Sequence, residues 1–97
     1  MSEISLDDVS EQIAGKINSE FSEFEGFDVR ADAGSLGAVY VALRQAQTEY
    51  ETGERFADEV APILESELEG TGLDFAVSMG AGDEDMLLQI EIRQPQQ

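Results

Sequence analysis

The sequence predicts an α+β domain with two layers, in which two amphipathic helices pack on one face of a four-stranded, mainly antiparallel sheet. In two segments, apolar residues recur every three or four positions, which is typical of helices that bury one side. In the segments that follow each helix, apolar and polar residues alternate, which indicates strands. The 97 residues suffice for a single domain with a small core. The predicted element order is therefore αββαββ.

The first helix is predicted over about residues 5–25. Ser5 is a typical N-cap residue, and the carboxylate of Asp8 three positions later suits the positive end of the helix dipole. Gly26 ends the helical pattern. The apolar stripe consists of Leu6, Val9, Ile13, Ile17, Phe21 and Phe24.

The first hairpin is predicted over about residues 27–47. Its strands alternate on both sides of a turn at Gly34-Ser35, with Val29 and Val41 among the residues expected to face the helices. Residues 45–53 fit either a longer second strand or the start of the next helix. We expect the strand to reach about Gln47, with a connector after it.

The second helix is predicted over about residues 54–69, and Gly70 ends it. Pro62 lies inside this segment and is expected to kink the helix or to mark its start, because proline lacks a backbone N–H. A second hairpin follows over about residues 73–93, and a polar tail occupies residues 94–97. The helical stripe consists of Phe56, Val60, Leu64 and Leu68.

The repeated order of helix and hairpin raises the hypothesis of a tandem αββ repeat. A shift of 47 positions places Val9 on Phe56 and Ile17 on Leu64. Any two amphipathic helices can be aligned on their apolar stripes, however. Duplication and chance similarity therefore both remain open.

The net charge of the chain is -17, from 22 acidic and 5 basic residues without any histidine, and Lys16 is the single lysine. Such a surface is suited to concentrated salt, where the Debye length is about 3 Å at 1 M and repulsion between carboxylates is screened. We expect a halophilic organism with a salt-rich cytoplasm, or the virion of its virus. The alternative is an acidic protein from ordinary salt.

The acidic residues are concentrated in the two predicted helices. Residues 1–25 hold seven acids and one lysine, and residues 48–70 hold eight acids and one arginine. Residues 26–47 hold two acids and two arginines. The helices should therefore form an acidic outer layer, whereas the first hairpin is neutral.

The predicted strand alternation brings a group of candidate binding residues to the sheet surface that points away from the helices. We call this surface the open sheet face. Arginine and tyrosine are favoured in protein interfaces, so it could bind a partner or a second copy. It could equally be a solvated surface with cross-strand ion pairs. Small residues such as Ala42 should leave it flat, which favours pairing. The candidate residues are Arg30, Tyr40, Arg44, Leu87, Gln89 and Arg93.

No motif in the sequence indicates catalysis, a metal site or a cofactor. Without cysteine and histidine, the chain lacks disulfides, the usual zinc ligands and imidazole acid-base chemistry. The loop Asp83-Glu84-Asp85 could hold a hydrated cation weakly, but it lacks the ligands and glycine of a calcium-binding loop, so a solvated acidic turn explains it better. We therefore predict no enzyme, no metal and no cofactor.

Charge and hydropathy also limit the partners. Three arginines among carboxylates do not form the basic patch that direct nucleic-acid binding requires. No apolar run approaches the ~20 residues of a membrane span, and the N-terminus lacks the features of a signal peptide. We expect a soluble, unexported protein that contacts neither nucleic acid nor membrane directly.

These observations together favour a non-enzymatic module for protein-protein interaction or assembly. Its expected partner is either a further copy in a homo-oligomer or another protein, bound through the open sheet face. Three alternatives remain at this point. They are a viral structural subunit of a head, neck or tail ring, a small carboxylate-based enzyme that would need a concave site, and an acidic nucleic-acid mimic.

Overall fold

The computed structural model describes residues 5–94, which form two helices and five strands. Every strand pair is antiparallel, and the sheet order is β1-β2-β3-β5-β4. The predicted α+β class and the packing of the helices on the sheet are confirmed, whereas the predicted count of four strands is wrong. The elements are α1 (Leu6–Glu20), β1 (Glu23–Phe24), β2 (Phe27–Ala33), β3 (Ala38–Leu43), α2 (Tyr50–Leu68), β4 (Asp74–Ala81) and β5 (Met86–Arg93).

The fifth strand, β1, lies where the sequence predicted the end of the first helix. α1 begins after the predicted N-cap Ser5 but ends at Glu20 rather than near residue 25. The chain then forms a short hairpin whose turn residues, Glu25 and Gly26, both have positive φ. This turn directs Phe24 towards Phe56 of α2, with ring centroids 5.1 Å apart. The chain thus leaves the helix before the predicted end, and the aromatic ring of Phe24 packs against α2.

α2 begins at Tyr50, earlier than predicted, and β3 ends at Leu43 instead of extending to Gln47. Gly53 consequently lies in the first turns of α2, where the helix packs against the sheet. A Cβ at this position would stand 3.1 Å from the Met79 sulfur, so glycine here permits close contact between helix and sheet. α2 also continues through Pro62, which therefore does not mark its start.

The core lies between the helices and one face of the sheet. Seven central-strand side chains and the main stripe residues of both helices meet there. Along β5, buried and exposed residues alternate without interruption, so the opposite set of side chains is on the open face. The central-strand residues, each at most 2 % exposed, are Val39, Val41, Leu43, Met86, Leu88, Ile90 and Ile92.

The two edges of the sheet differ. On the β2 edge, the Asn18 side chain of α1 donates to the Ala31 carbonyl at 2.8 Å and accepts from the Ala31 N–H at 2.9 Å. The Val29 N–H, on the same edge, donates to the Ser22 carbonyl at 3.1 Å. A helix side chain and the chain around β1 therefore satisfy backbone groups that would otherwise be open to another strand.

The strand order has a symmetry that relates to the repeat hypothesis. β3 and β5, the second strands of the two αββ units, pair at the centre, while β2 and β4 flank them. Two similar units related by a twofold axis would have this order. β1 and its contacts belong to the first unit alone, and the duplication itself stays a hypothesis.

Neither helix within residues 5–94 has both the length and the apolar character needed to cross a lipid bilayer. Of the predicted polar tail, Gln94 follows β5 without regular structure, and residues 95–97 lie outside the described range.

Candidate protein-interaction surface

All six predicted residues of the open sheet face have exposed side chains. Five of them alternate with buried core residues on β2, β3 and β5, whereas Arg44 lies in the turn after β3. The pairing registers of the strands place two rows of residues side by side on this face. One row runs from Arg30 through Ala42 to Leu87, and a neighbouring row joins Tyr40 to Gln89. Four of the six predicted residues are therefore grouped near the middle of the sheet.

The grouped residues surround a shallow depression with a volume of about 350 Å³. Arg30, Tyr40, Leu87 and Gln89 line it, and Ala42 lies between the long side chains. The expectation of a flat face is therefore wrong, because the small residues form a floor between longer neighbours. Tyr40 is 50 % and Leu87 42 % exposed, which leaves substantial apolar surface around the depression open to water.

Tyr40 is positioned by the turn that precedes β3. A Cβ at Gly34 would lie 2.6 Å from the Tyr40 ring carbon Cε2, so the ring occupies space that only glycine leaves empty. The Gly34 N–H also donates to the Ala38 carbonyl at 2.8 Å, which closes the turn. The Tyr40 ring therefore packs close to Gly34, while half of the residue's surface stays exposed.

The predicted residues Arg44 and Arg93 lie away from the central group. Arg44 borders a neighbouring hollow at the β4–β5 loop, which it shares with Leu87. Arg93 is at the far end of β5, opposite Asp74. It lies six positions from Leu87, a distance of about 20 Å along a strand. The six predicted residues consequently do not form one compact site.

Ion pairs on the open sheet face are local. Arg30 Nε lies 3.3 Å from Asp32 of the same strand, and Arg44 Nε lies 3.9 Å from Asp85 in the β4–β5 loop. In the part of the chain that the structure describes, no ion pair joins two strands across this face. The sheet ladder therefore does not depend on cross-strand charge pairs here.

The acidic loop at residues 83–85 has a structural function. Asp85 Oδ1 accepts a hydrogen bond from the Gln45 N–H at 2.9 Å, and the Gln47 side chain donates to the Gly82 carbonyl at 2.7 Å. These contacts hold the turn after β3 against the loop. No group of three or more potential metal ligands occurs within residues 5–94.

A second polar cluster lies on the helix side of the sheet, where Arg55 of α2 binds Glu25 in the β1–β2 turn. The Arg55 Nε and one terminal guanidinium nitrogen each lie 2.7 Å from a different Glu25 carboxylate oxygen. These hydrogen bonds hold the pKa of Glu25 below its usual value and raise the pKa of Arg55. The pair fixes the hairpin to α2 and is separate from the depression.

Several residues around the depression were not selected from the sequence. Asp32 contributes a carboxylate, while Ser78 and Gly80 of β4 extend the small-residue floor. The hairpin of β4 and β5 was predicted, but the pairing of β3 with β5 was not, and this pairing brings the residues of both hairpins around one depression. The alternation of each strand could place these residues on a face but could not give their neighbours.

Comparison with known proteins finds no matching family model, no matching curated protein and no matching solved structure.

Proposed function

We propose that the protein is a non-enzymatic interaction or assembly module that binds another protein through the open sheet face. The observation that carries the proposal is the depression between Arg30, Tyr40 and Leu87, on a sheet surface that neither α1 nor α2 covers. A tyrosine beside an arginine provides two of the residue types that contribute most to binding when a partner excludes water, and the exposed leucine adds apolar surface.

The distribution of charge supports the choice of this face. The acidic residues of both helices lie almost entirely on exposed surface, so the helix side is rich in the aspartate and glutamate that protein interfaces disfavour. On the open face, arginines are interspersed with carboxylates, and its centre combines Arg30 and Asp32 with uncharged Tyr40, Gln89 and Leu87. We infer that concentrated salt is the working solvent and that partners bind where the acidic layer is interrupted.

An enzyme that uses carboxylates is the weaker candidate. Such an enzyme needs a concave site where the pKa values of acidic groups are displaced. The carboxyl group of Glu25 does have a lowered pKa, but it lies in the contact with Arg55 on the helix side. The depression offers Asp32, whose carboxylate lies 62 % exposed beside Arg30. This arrangement favours binding over catalysis.

The two tyrosines provide a matched test. Tyr40 is 50 % exposed on the open face and Tyr50 is 53 % exposed at the start of α2, so replacement by glutamate changes size and charge equally at both sites. Affinity capture from a halophilic lysate in multimolar potassium chloride should yield a partner that Tyr40→Glu loses and Tyr50→Glu retains. Partners that both variants retain equally, or the absence of any partner and of self-association, would refute the proposal.

A further inference from the structure

The outer edge of β4 presents backbone groups without a partner strand. Gly82 directly follows β4, and its N–H donates to the Asp85 carbonyl at 2.8 Å, so residues 82 and 85 form a hydrogen-bonded pair. Such pairs recur at every second residue of an antiparallel ladder, so the even-numbered residues of β4 hydrogen-bond with β5. The N–H and C=O groups of the odd-numbered residues therefore point away from the sheet. Within residues 5–94, no segment pairs with the backbone N–H and C=O groups of Val77, Met79 or Ala81. We call this row the β4 edge.

The β4 edge lacks the features that normally prevent strand pairing. Exposed edges are commonly blocked by lysine, proline, an inward charge or a covering loop. Residues 75–82 contain neither a charged side chain nor proline, in a chain with 22 acidic residues. The long edge strand is thus neutral, and a second strand could approach it without charge repulsion along most of its length.

The apolar layer under the sheet is also incomplete at this edge. Phe75 and Val77 point towards the helices but are only partly buried, and Met79 is 37 % exposed. Equivalent positions on the central strand β5 are almost fully buried. A strand added beside β4 would bring its own apolar side chains against these residues and extend the core.

The opposite edge of the sheet determines which assembly is compatible with these features. Head-to-tail pairing of β4 with β2 would produce an open fibre, but Asn18 and the chain around β1 occupy the β2 edge. A twofold pairing of β4 with itself uses the open edge of both copies and leaves neither unpaired. It therefore closes at two copies.

We propose that β4 pairs antiparallel with β4 of a second copy, so that two sheets join into one. Ser78 lies on the twofold axis in the register we infer, and Val77 stands opposite Met79 of the second copy. Both residues have outward backbone groups, so this pair exchanges two hydrogen bonds. Asp74 and Asp83 flank the neutral stretch, and their repulsion across the interface should make dimerisation stronger at high salt.

This interface goes beyond the open sheet face, because it uses the edge and leaves that face accessible. The twofold axis is perpendicular to the joined sheet, so the open faces of both copies lie on the same side. Two depressions would then be presented together, which strengthens binding to a repetitive partner.

The test compares Val77→Pro with Val77→Ala. Proline is tolerated at an edge position whose N–H faces solvent, so Val77→Pro should fold while losing an intermolecular donor. Val77→Ala removes side-chain volume but retains that donor. Sedimentation equilibrium in multimolar potassium chloride should show a dimer for the wild type and Val77→Ala. Because each of the two copies loses one donor, Val77→Pro removes two hydrogen bonds from the dimer. The dimer Kd should therefore rise about 30-fold.

Amide hydrogen exchange provides a second measurement that does not require a variant. On dilution, exchange at Val77, Met79 and Ala81 should accelerate, whereas exchange at Ser78, which bonds to β5, should change little. A monomer at every concentration would overturn the inference. The inference would also fail if the β4 amides exchanged equally at all concentrations while Tyr40→Glu dissociated the dimer. That result would leave the proposed binding face intact. Loss of dimer only in Val77→Pro supports the β4 edge.

Discussion

Replacement of Asn18 by alanine tests the account of the closed β2 edge. The Asn18 side chain makes two hydrogen bonds, of 2.8 and 2.9 Å, with the backbone of Ala31. Alanine cannot replace either bond, and β3 occupies the other side of β2. The variant therefore leaves one donor and one acceptor on the edge without a protein partner.

The expected loss can be calculated from these two bonds. Each contributes about 1 kcal/mol net to the free energy of unfolding, which makes a loss of about 2 kcal/mol. Alanine is a better helix former than asparagine by about 0.5 kcal/mol. The net destabilisation should consequently be about 1.5 kcal/mol, and with a urea m-value of about 1.5 kcal/mol/M the unfolding midpoint should fall by about 1 M.

Urea unfolding in multimolar potassium chloride measures this loss, with Ser19→Ala as the control. Ser19 is the exposed neighbour on the same helix, so its replacement should leave the midpoint unchanged or raise it slightly. Hydrogen exchange should accelerate selectively at the Ala31 amide in Asn18→Ala. If both variants had the same midpoint and Ala31 kept its protection, the hydrogen-bond account of this edge would be refuted.

Two further predictions concern charge. The melting temperature should rise from about 0.1 M to multimolar potassium chloride, as the Debye length falls from about 10 Å to about 3 Å; a constant melting temperature would contradict the role of carboxylate repulsion. Glu25→Gln should destabilise the protein above the ordinary carboxyl pKa of 4.5, and the difference should vanish as pH falls through the lowered pKa of native Glu25. The exposed Glu23 of the same hairpin gives the control variant Glu23→Gln, and urea titrations at several pH values would contradict the prediction if both variants behaved alike.

The open sheet face shows how far periodicity alone can predict a site. Alternation placed Arg30, Tyr40 and Leu87 on one face, because side chains in a strand point to opposite sides in turn. Their grouping around a depression required β3 to lie between β2 and β5. Arg93 has the same orientation but lies at the distant end of its strand, which periodicity cannot distinguish.

The boundaries that differ from prediction depend on long-range contacts. Gly53 has a low intrinsic helix propensity and precedes the predicted helix, yet it lies inside α2 where the sheet approaches closely. Phe24 continues the stripe of α1 by spacing, yet its ring packs against Phe56 after the chain has turned. In both cases packing with distant residues outweighs the local preference.

The sequence by itself determined the α+β class, the acidic helical layer and the side-chain alternation of the main strands. These properties follow from composition and from spacing between near neighbours, so they need no knowledge of distant contacts. Only the tertiary structure decided that β1 completes one edge, that Asn18 closes part of it and that no segment within residues 5–94 pairs with the outer edge of β4. The reason is physical, since backbone groups at a sheet edge are satisfied or left unpaired by segments far away in the chain.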